Sequence, residues 1–199
     1  MSTVFVSYNR ANQPQAQALV DDLTELGHRP WMDRELSGGQ VWWDQILDRV
    51  RASDVFLFAV TPESLGSEAC RRELAYATAL GKPIVPAIVA DGVSVNLLPP
   101  QLAALQLIDH RASNRDSALR LGRAFTSLSQ TPPLPDPLPT APKAPLSYLG
   151  SLSERIGSDG PLDFDAQSSV FVSLKGALHE AATAADARKL LTQFRRRRF

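Results

Sequence analysis

Apolar positions recur along the first 130 residues in two alternating rhythms. Val4-Phe5-Val6 is a short β-branched and aromatic run, and Val55-Phe56-Leu57-Phe58-Ala59-Val60 is unbroken, as in a strand buried on both faces. Arg29 to Met32 and Ile84 to Val89 read as further strands, with Pro86 marking a bulge or an edge position, and Leu105 to Ile108 as a fifth. Between them lie segments of helical spacing. Asn12 to Leu26 places Ala16, Leu19, Val20, Leu23 and Leu26 on one stripe, and Gly27 ends it. Val41 to Val50, Ser67 to Leu80 and Ser117 to Leu128 follow the same rule. Strands alternating with helices predict a flavodoxin-like, doubly wound, five-stranded parallel sheet. In such folds ligands sit beyond the C-terminal strand ends, which points at residues 7–10, 33–39 and 61–67.

The rhythm stops at Thr131. Seven of the 15 prolines fall between Thr131 and Pro145, a stretch that favours extended backbone and cannot supply ladder hydrogen bonds. We therefore expect a domain over 1–130, a Pro-rich linker over 131–145 and a small helical module over 146–199. Leu146 to Ile156, Gln167 to Ala181 and Ala185 to Arg198 carry its helical periodicity. A core of that size is marginal alone, which predicts packing against the first domain or a partner.

Composition narrows the function classes. Twenty-one basic groups balance 21 acidic ones, so neither nucleic acid nor an anionic membrane is the expected partner. One Cys closes no intramolecular disulfide, and the start of the chain lacks a signal-peptide pattern. The longest strongly apolar run, Val55 to Val60, is far short of a membrane span. A soluble, reducing, cytoplasmic setting is expected. His28, His110 and His179 lack metal-ligand spacing, so no metal site is expected, and His110 reads as solvent-exposed.

The most informative residue is Glu73. On the helix Ser67–Leu80 it falls within the arc of Ala69, Cys70, Leu74, Tyr76, Ala77 and Leu80, while Glu68, Arg71 and Arg72 lie opposite. A carboxylate on a buried stripe costs free energy unless it is paired or used. Periodicity alone leaves two readings open: a functional carboxylate facing the crevice, or a structural salt bridge to Arg10 or Arg34. Cys70 reads as a small buried filler, and of Trp31, Trp42 and Trp43 one or two belong in a core. Arg195 to Arg198 read as a solvated tail.

Several motifs exclude more than they include. Leu36-Ser37-Gly38-Gly39-Gln40 reproduces the signature pentapeptide of ABC-transporter ATPases, but the chain has no P-loop for it to work with. Locally it is a flexible turn entering a helix. No GxGxxG follows a strand, so a Rossmann dinucleotide site is excluded. A phospho-accepting response regulator needs acidic residues where Asn9-Arg10 and Thr61-Pro62 stand.

Taken in order, Val4-Phe5-Val6-Ser7-Tyr8, Trp31-Met32-Asp33, Gly39, Trp43, Ser53 and Ser67-Glu68-Ala69-Cys70-Arg71-Arg72-Glu73-Leu74 resemble a Toll/interleukin-1 receptor (TIR) domain of the bacterial type over roughly residues 1–130. Many TIR domains cleave NAD at the nicotinamide–ribose bond, and the resemblance makes Glu73, from the SxxCxxE pattern, the catalytic residue. It also implicates Ser7, Tyr8, Asn9, Arg10, Asp33, Gly39 and Trp43 in binding substrate. NAD is then a substrate and no cofactor is implied. Ala69 stands where bacterial relatives often carry Trp, which implies hydrolysis rather than cyclisation. The resemblance further implies self-association through TIR domains, C-terminal helices that receive an activator, and a role in bacterial immunity. The competing reading is a non-enzymatic TIR adaptor that acts only through TIR–TIR contacts.

Overall fold

A computed structural model describes residues 1–33, 40–145, 149, 152–153, 156–157, 164–178 and 184–196. The chain divides into two units, Met1–Asp33 with Leu47–Pro142, and Arg34–Ile46 with Lys143–Phe199.

Among the described residues of the first unit, five strands form one all-parallel sheet: β1 (Thr3–Ser7), β2 (Arg29–Trp31), β3 (Val55–Val60), β4 (Ile84–Ile88) and β5 (Ile108–Asp109). Their order, β2-β1-β3-β4-β5, is the flavodoxin-like one expected from the alternation. The helices are α1 (Gln13–Glu25), α2 (Gln40–Ala52), whose residues 40–46 are assigned to the second unit, the short α3 (Pro62–Gly66), α4 (Glu68–Ala79), the short α5 (Pro100–Ala103) and α6 (Arg115–Thr126). Gly27, at φ +81°, supplies the left-handed residue just past α1, where a side chain would be strained.

Strand alternation sorts the core. Val4 and Val6 of β1, Leu57 and Ala59 of β3, and Val85 and Ala87 of β4 share a cluster with Ala16, Leu19 and Leu23 of α1 and Leu121 and Phe125 of α6. The opposite side chains, Phe5, Phe56 and Phe58, form a chain of ring contacts at 5.4 and 6.5 Å. Ser7 shares Phe5's parity and closes β1 on that face, opposite Phe58 in the parallel register. Helix α4 packs on β1 and β3. Each large aromatic here contributes ~1.5–3 kcal/mol through burial.

Several boundaries differ from the periodicity. The fifth strand is Ile108–Asp109 rather than Leu105–Ile108, because only Ala87 and Ile88 of β4 offer it partners. That two-residue ladder begins just past Pro86, so the missing N–H falls where β5 demands no bond. Helix α6 starts earlier than expected because Asn114 and Ser117 form a reciprocal cap, with bonds of 3.0 and 2.8 Å. A similar pair, Thr61 and Ser64, initiates α3, which periodicity did not reveal.

In the second unit, α7 (Phe164–Ala177) packs against α8 (Ala184–Arg196). Val170, Leu174 and Ala177 on one helix and Ala187, Leu190 and Phe194 on the other are buried, each set at helical spacing. Of the segment 146–156, the described residues Leu149, Leu152, Ser153 and Ile156 are helical. Much of the Pro-rich stretch falls in the first unit, where the Thr131 hydroxyl donates to the Asp54 carbonyl at 2.7 Å. Among the described residues no helix is long and apolar enough to cross a membrane.

The C-terminus of α2 is closed by an unusual cap. Lys82 is buried, and its Nζ donates to the carbonyls of Arg51 and Ser53 at 2.7 and 2.6 Å. Burial lowers its pKa, and the nearby Asp54 partly offsets this. Lys82→Met keeps the stem but leaves two carbonyls without their donor. It is expected to lower stability by ~1.5–3 kcal/mol, read as a lower urea midpoint at unchanged slope; an unmoved midpoint contradicts the cap.

Candidate active site

The site is built where β1 ends and α4 begins. Ser67 caps α4, its hydroxyl accepting from the Cys70 N–H at 3.3 Å. Six residues beyond that cap, Glu73 faces the sheet within the buried stripe Cys70, Glu73, Leu74, Tyr76 and Ala77. Its carboxylate meets the end of β1: Ser7 Oγ donates to Glu73 Oε2 at 2.6 Å, with Ser7 1% and Glu73 7% exposed. The separation lies at the short end of the O–H···O range.

Burial raises the Glu73 pKa to about 8. The Ser7 hydrogen bond works against that shift, and the negative charge of Asp33 adds to it. Among the described residues no cation forms an ion pair with Glu73. Arg10, one of the two partners weighed for it, instead lies 3.5 Å from the Asp33 carboxylate. Arg34, the other, lies outside the described residues.

The loop after β1 is tied to Asp33. The Tyr8 hydroxyl donates to the Asp33 carbonyl, while the Arg10 guanidinium faces its carboxylate. Cys70 Sγ donates to the Tyr8 carbonyl at 3.4 Å, anchoring the same loop to α4. Burial, and secondarily the charge of Glu73, push the Cys70 thiol up to about 12, so it stays protonated and fills space. Asn9 turns away: its Oδ1 accepts from the Ala11 N–H at 3.0 Å and its Nδ2 donates to the Glu63 carbonyl at 3.3 Å.

Ser7, Tyr8, Arg10, Asp33 and Glu73 are thus brought together. Gly39 lies outside the described residues. Trp43 is fully buried and belongs to the second unit, its ring 5.9 Å from that of Trp42. Trp31 packs on Phe5 at 5.3 Å, with the Arg49 guanidinium 5.5 Å from its ring. His110 corrects an expectation. It is 2% exposed rather than solvated, because Asp22 on α1 meets its Nε2 at 2.6 Å. A further buried pair, Thr61 Oγ1 donating to Asn12 Oδ1 at 2.8 Å, joins the end of β3 to the start of α1. Isolated polar residues of this kind carry no periodic signal, so sequence reasoning passed them over.

A family model for the TIR domain matches residues 4–122. The chain belongs to the TIR domain family. The match runs from Val4 in β1 past β5 into α6 of this TIR domain, with Ser7, Asp33 and Glu73 inside it. None of the curated proteins matches the chain. Among solved structures, the chain is similar to the CMP N-glycosidase BcmB of Clostridium botulinum at 14% identity and a TM-score of 0.42, over 62% of this chain and 97% of that one.

The raised pKa has a consequence for stability. Glu73 binds its proton more tightly in the folded state than at its ordinary value of 4.5. Its contribution is therefore full below pH 4.5 and is lost as pH rises through about 8. Glu73→Gln removes the charge that must be buried. The variant is expected to melt higher than wild type at pH 9, with the difference shrinking towards pH 5. Each pH unit of displaced titration corresponds to about 1.4 kcal/mol. A melting difference independent of pH contradicts the burial of an ionisable Glu73.

Proposed function

We propose that this TIR domain is an NAD glycohydrolase in which Glu73 is the catalytic carboxylate. The observation that carries the reading is a buried carboxylate, bonded by one serine and paired with no described cation, at the C-terminal end of β1 beside the strand-order switch. Membership of the TIR family and the SxxCxxE spacing of Ser67, Cys70 and Glu73 support it.

The chemistry suits one carboxylate. The bond from ribose C1′ to the pyridinium nitrogen breaks, and its electron pair passes to that nitrogen, so nicotinamide leaves neutral and needs no acid. Positive charge then develops on the ribose. Ionised Glu73, in a largely dry setting, stabilises that charge. Water adds to C1′ and gives up a proton, for which Glu73 is the acceptor. NAD, water and the enzyme thus yield ADP-ribose, nicotinamide and a proton. The cationic pyridinium of the substrate also draws the Glu73 pKa down on binding, favouring the active form. Arg10 and Tyr8, both held against Asp33, are proposed as groups for binding the nucleotide.

The finer proposals rest on the resemblance. Ala69 in place of Trp favours hydrolysis over cyclisation. TIR self-association and the C-terminal helices are proposed to gate activity, as befits an enzyme that depletes a central metabolite, with a role in cytoplasmic bacterial immunity.

Concentrated wild-type protein is expected to release nicotinamide from NAD, with kcat/KM rising from pH 6.5 and levelling above about 8 as free Glu73 ionises. Glu73→Gln is expected to lose at least ~100-fold while remaining folded. Wild-type-like turnover in the variant ends the assignment of Glu73 as the catalytic group, whereas no nicotinamide from wild type under crowding leaves the adaptor reading in its place.

A further inference from the structure

Ser7 was implicated above as a substrate-binding residue, but its geometry points elsewhere. It is the last residue of β1, 1% exposed, on the strand face that α4 covers. A serine hydroxyl carries one hydrogen, and here that hydrogen is directed to Glu73 Oε2 at 2.6 Å. A donor so used cannot also donate to a ribose oxygen. Strand position restrains Ser7, which is registered with Phe58 of β3 at the end of a strand whose earlier residues, Thr3 to Phe5, also pair with β2. The hydroxyl is thus a fixed dipole aimed at one oxygen of a carboxylate that burial disfavours.

We infer that Ser7 is a positioning residue for Glu73: its bond to Oε2 holds the carboxylate in one rotamer, supports its negative charge, and leaves Oε1 as the oxygen for the ribose. This rests on the reading of Glu73 as the catalytic group.

Other ionisable groups do not take over that role. Asp33, after β2, acts on Glu73 in the opposite sense. Cys70, on α4 itself, remains a neutral thiol across the working range. Arg10 faces Asp33. Glu63, on the α3 helix that packs against α4, is exposed, and Glu68 and Arg72 pair with each other on the outer side of α4. Among the described residues Ser7 is therefore the group beside Glu73 that favours its charged form through a direct bond.

The test uses the full chain labelled with ¹³C at glutamate side-chain carboxyls, with the Glu73 resonance assigned by its disappearance in Glu73→Gln. Titration from pH 5 to 10 follows wild type, Ser7→Ala and Ser7→Thr. The Glu73 midpoint is expected to rise by about one pH unit in Ser7→Ala and to stay near wild type in Ser7→Thr. Nicotinamide release by Ser7→Ala is expected to fall ~10-fold at pH 7 and to recover most of that loss at higher pH, its limb displaced with the midpoint. A packing role alone would lower turnover equally at every pH and leave the midpoint unmoved, and either result overturns the inference. Should Ser7→Ala not fold, Ser7→Cys, close in volume and a weak donor, carries the same expectation and the same overturning result. A displaced midpoint with no nicotinamide released by any form sinks the glycohydrolase reading and the ribose role of Oε1, while the Ser7–Glu73 coupling stands. Release of nicotinamide with an unmoved midpoint does the reverse.

Discussion

A carboxylate inside an apolar layer is the constraint on which the rest of this molecule turns. Glu73 occupies a helix position whose neighbours, Cys70, Leu74 and Ala77, are core residues, and burial there strongly disfavours its charge. A structural role would be served better by an apolar side chain of similar volume. What makes the arrangement tolerable is the placement of one hydroxyl, brought by the C-terminal end of β1 beside the strand-order switch. The all-parallel order and the parity of Ser7 with Phe5 are thus preconditions of the proposed chemistry as well as of this packing.

Around that pair the polar groups form a graded field. Asp33 resists ionisation of Glu73, and its own carboxylate faces the Arg10 guanidinium. Tyr8 and Cys70 act mechanically, one tying the β1 loop to the residue after β2 and the other tying it to α4. A site poised near neutrality in this way responds to a cationic ligand more than a permanently ionised one would.

Much of this was legible in the chain. The unbroken run Val55–Val60 and the stripe through Leu19 and Leu23 specified sheet and helices because burial leaves a periodic trace. Glu73 stood out for the converse reason, a charge breaking such a trace. Ends of elements were less readable: α6 begins where Asn114 and Ser117 cap one another, and β5 is set by its neighbour rather than by its own composition. His110 was misjudged because its burial depends on Asp22, 88 positions away, and no local pattern encodes that pairing. The same limit applied to Arg10, whose partner Asp33 was identifiable only once β1 and β2 were adjacent. The second unit announced its helices through Leu174, Leu190 and Phe194, but periodicity says nothing of what such helices receive.

The central claim is that the Glu73 carboxylate faces the ribose carbon from which the base departs. Its most direct test is a crystal structure of the Glu73→Gln variant soaked with intact NAD. The nicotinamide ribose is expected to lie beside residue 73, with the side-chain oxygen within ~3.5 Å of C1′ or of the adjoining hydroxyl. NAD bound with that ribose remote from residue 73 would contradict it.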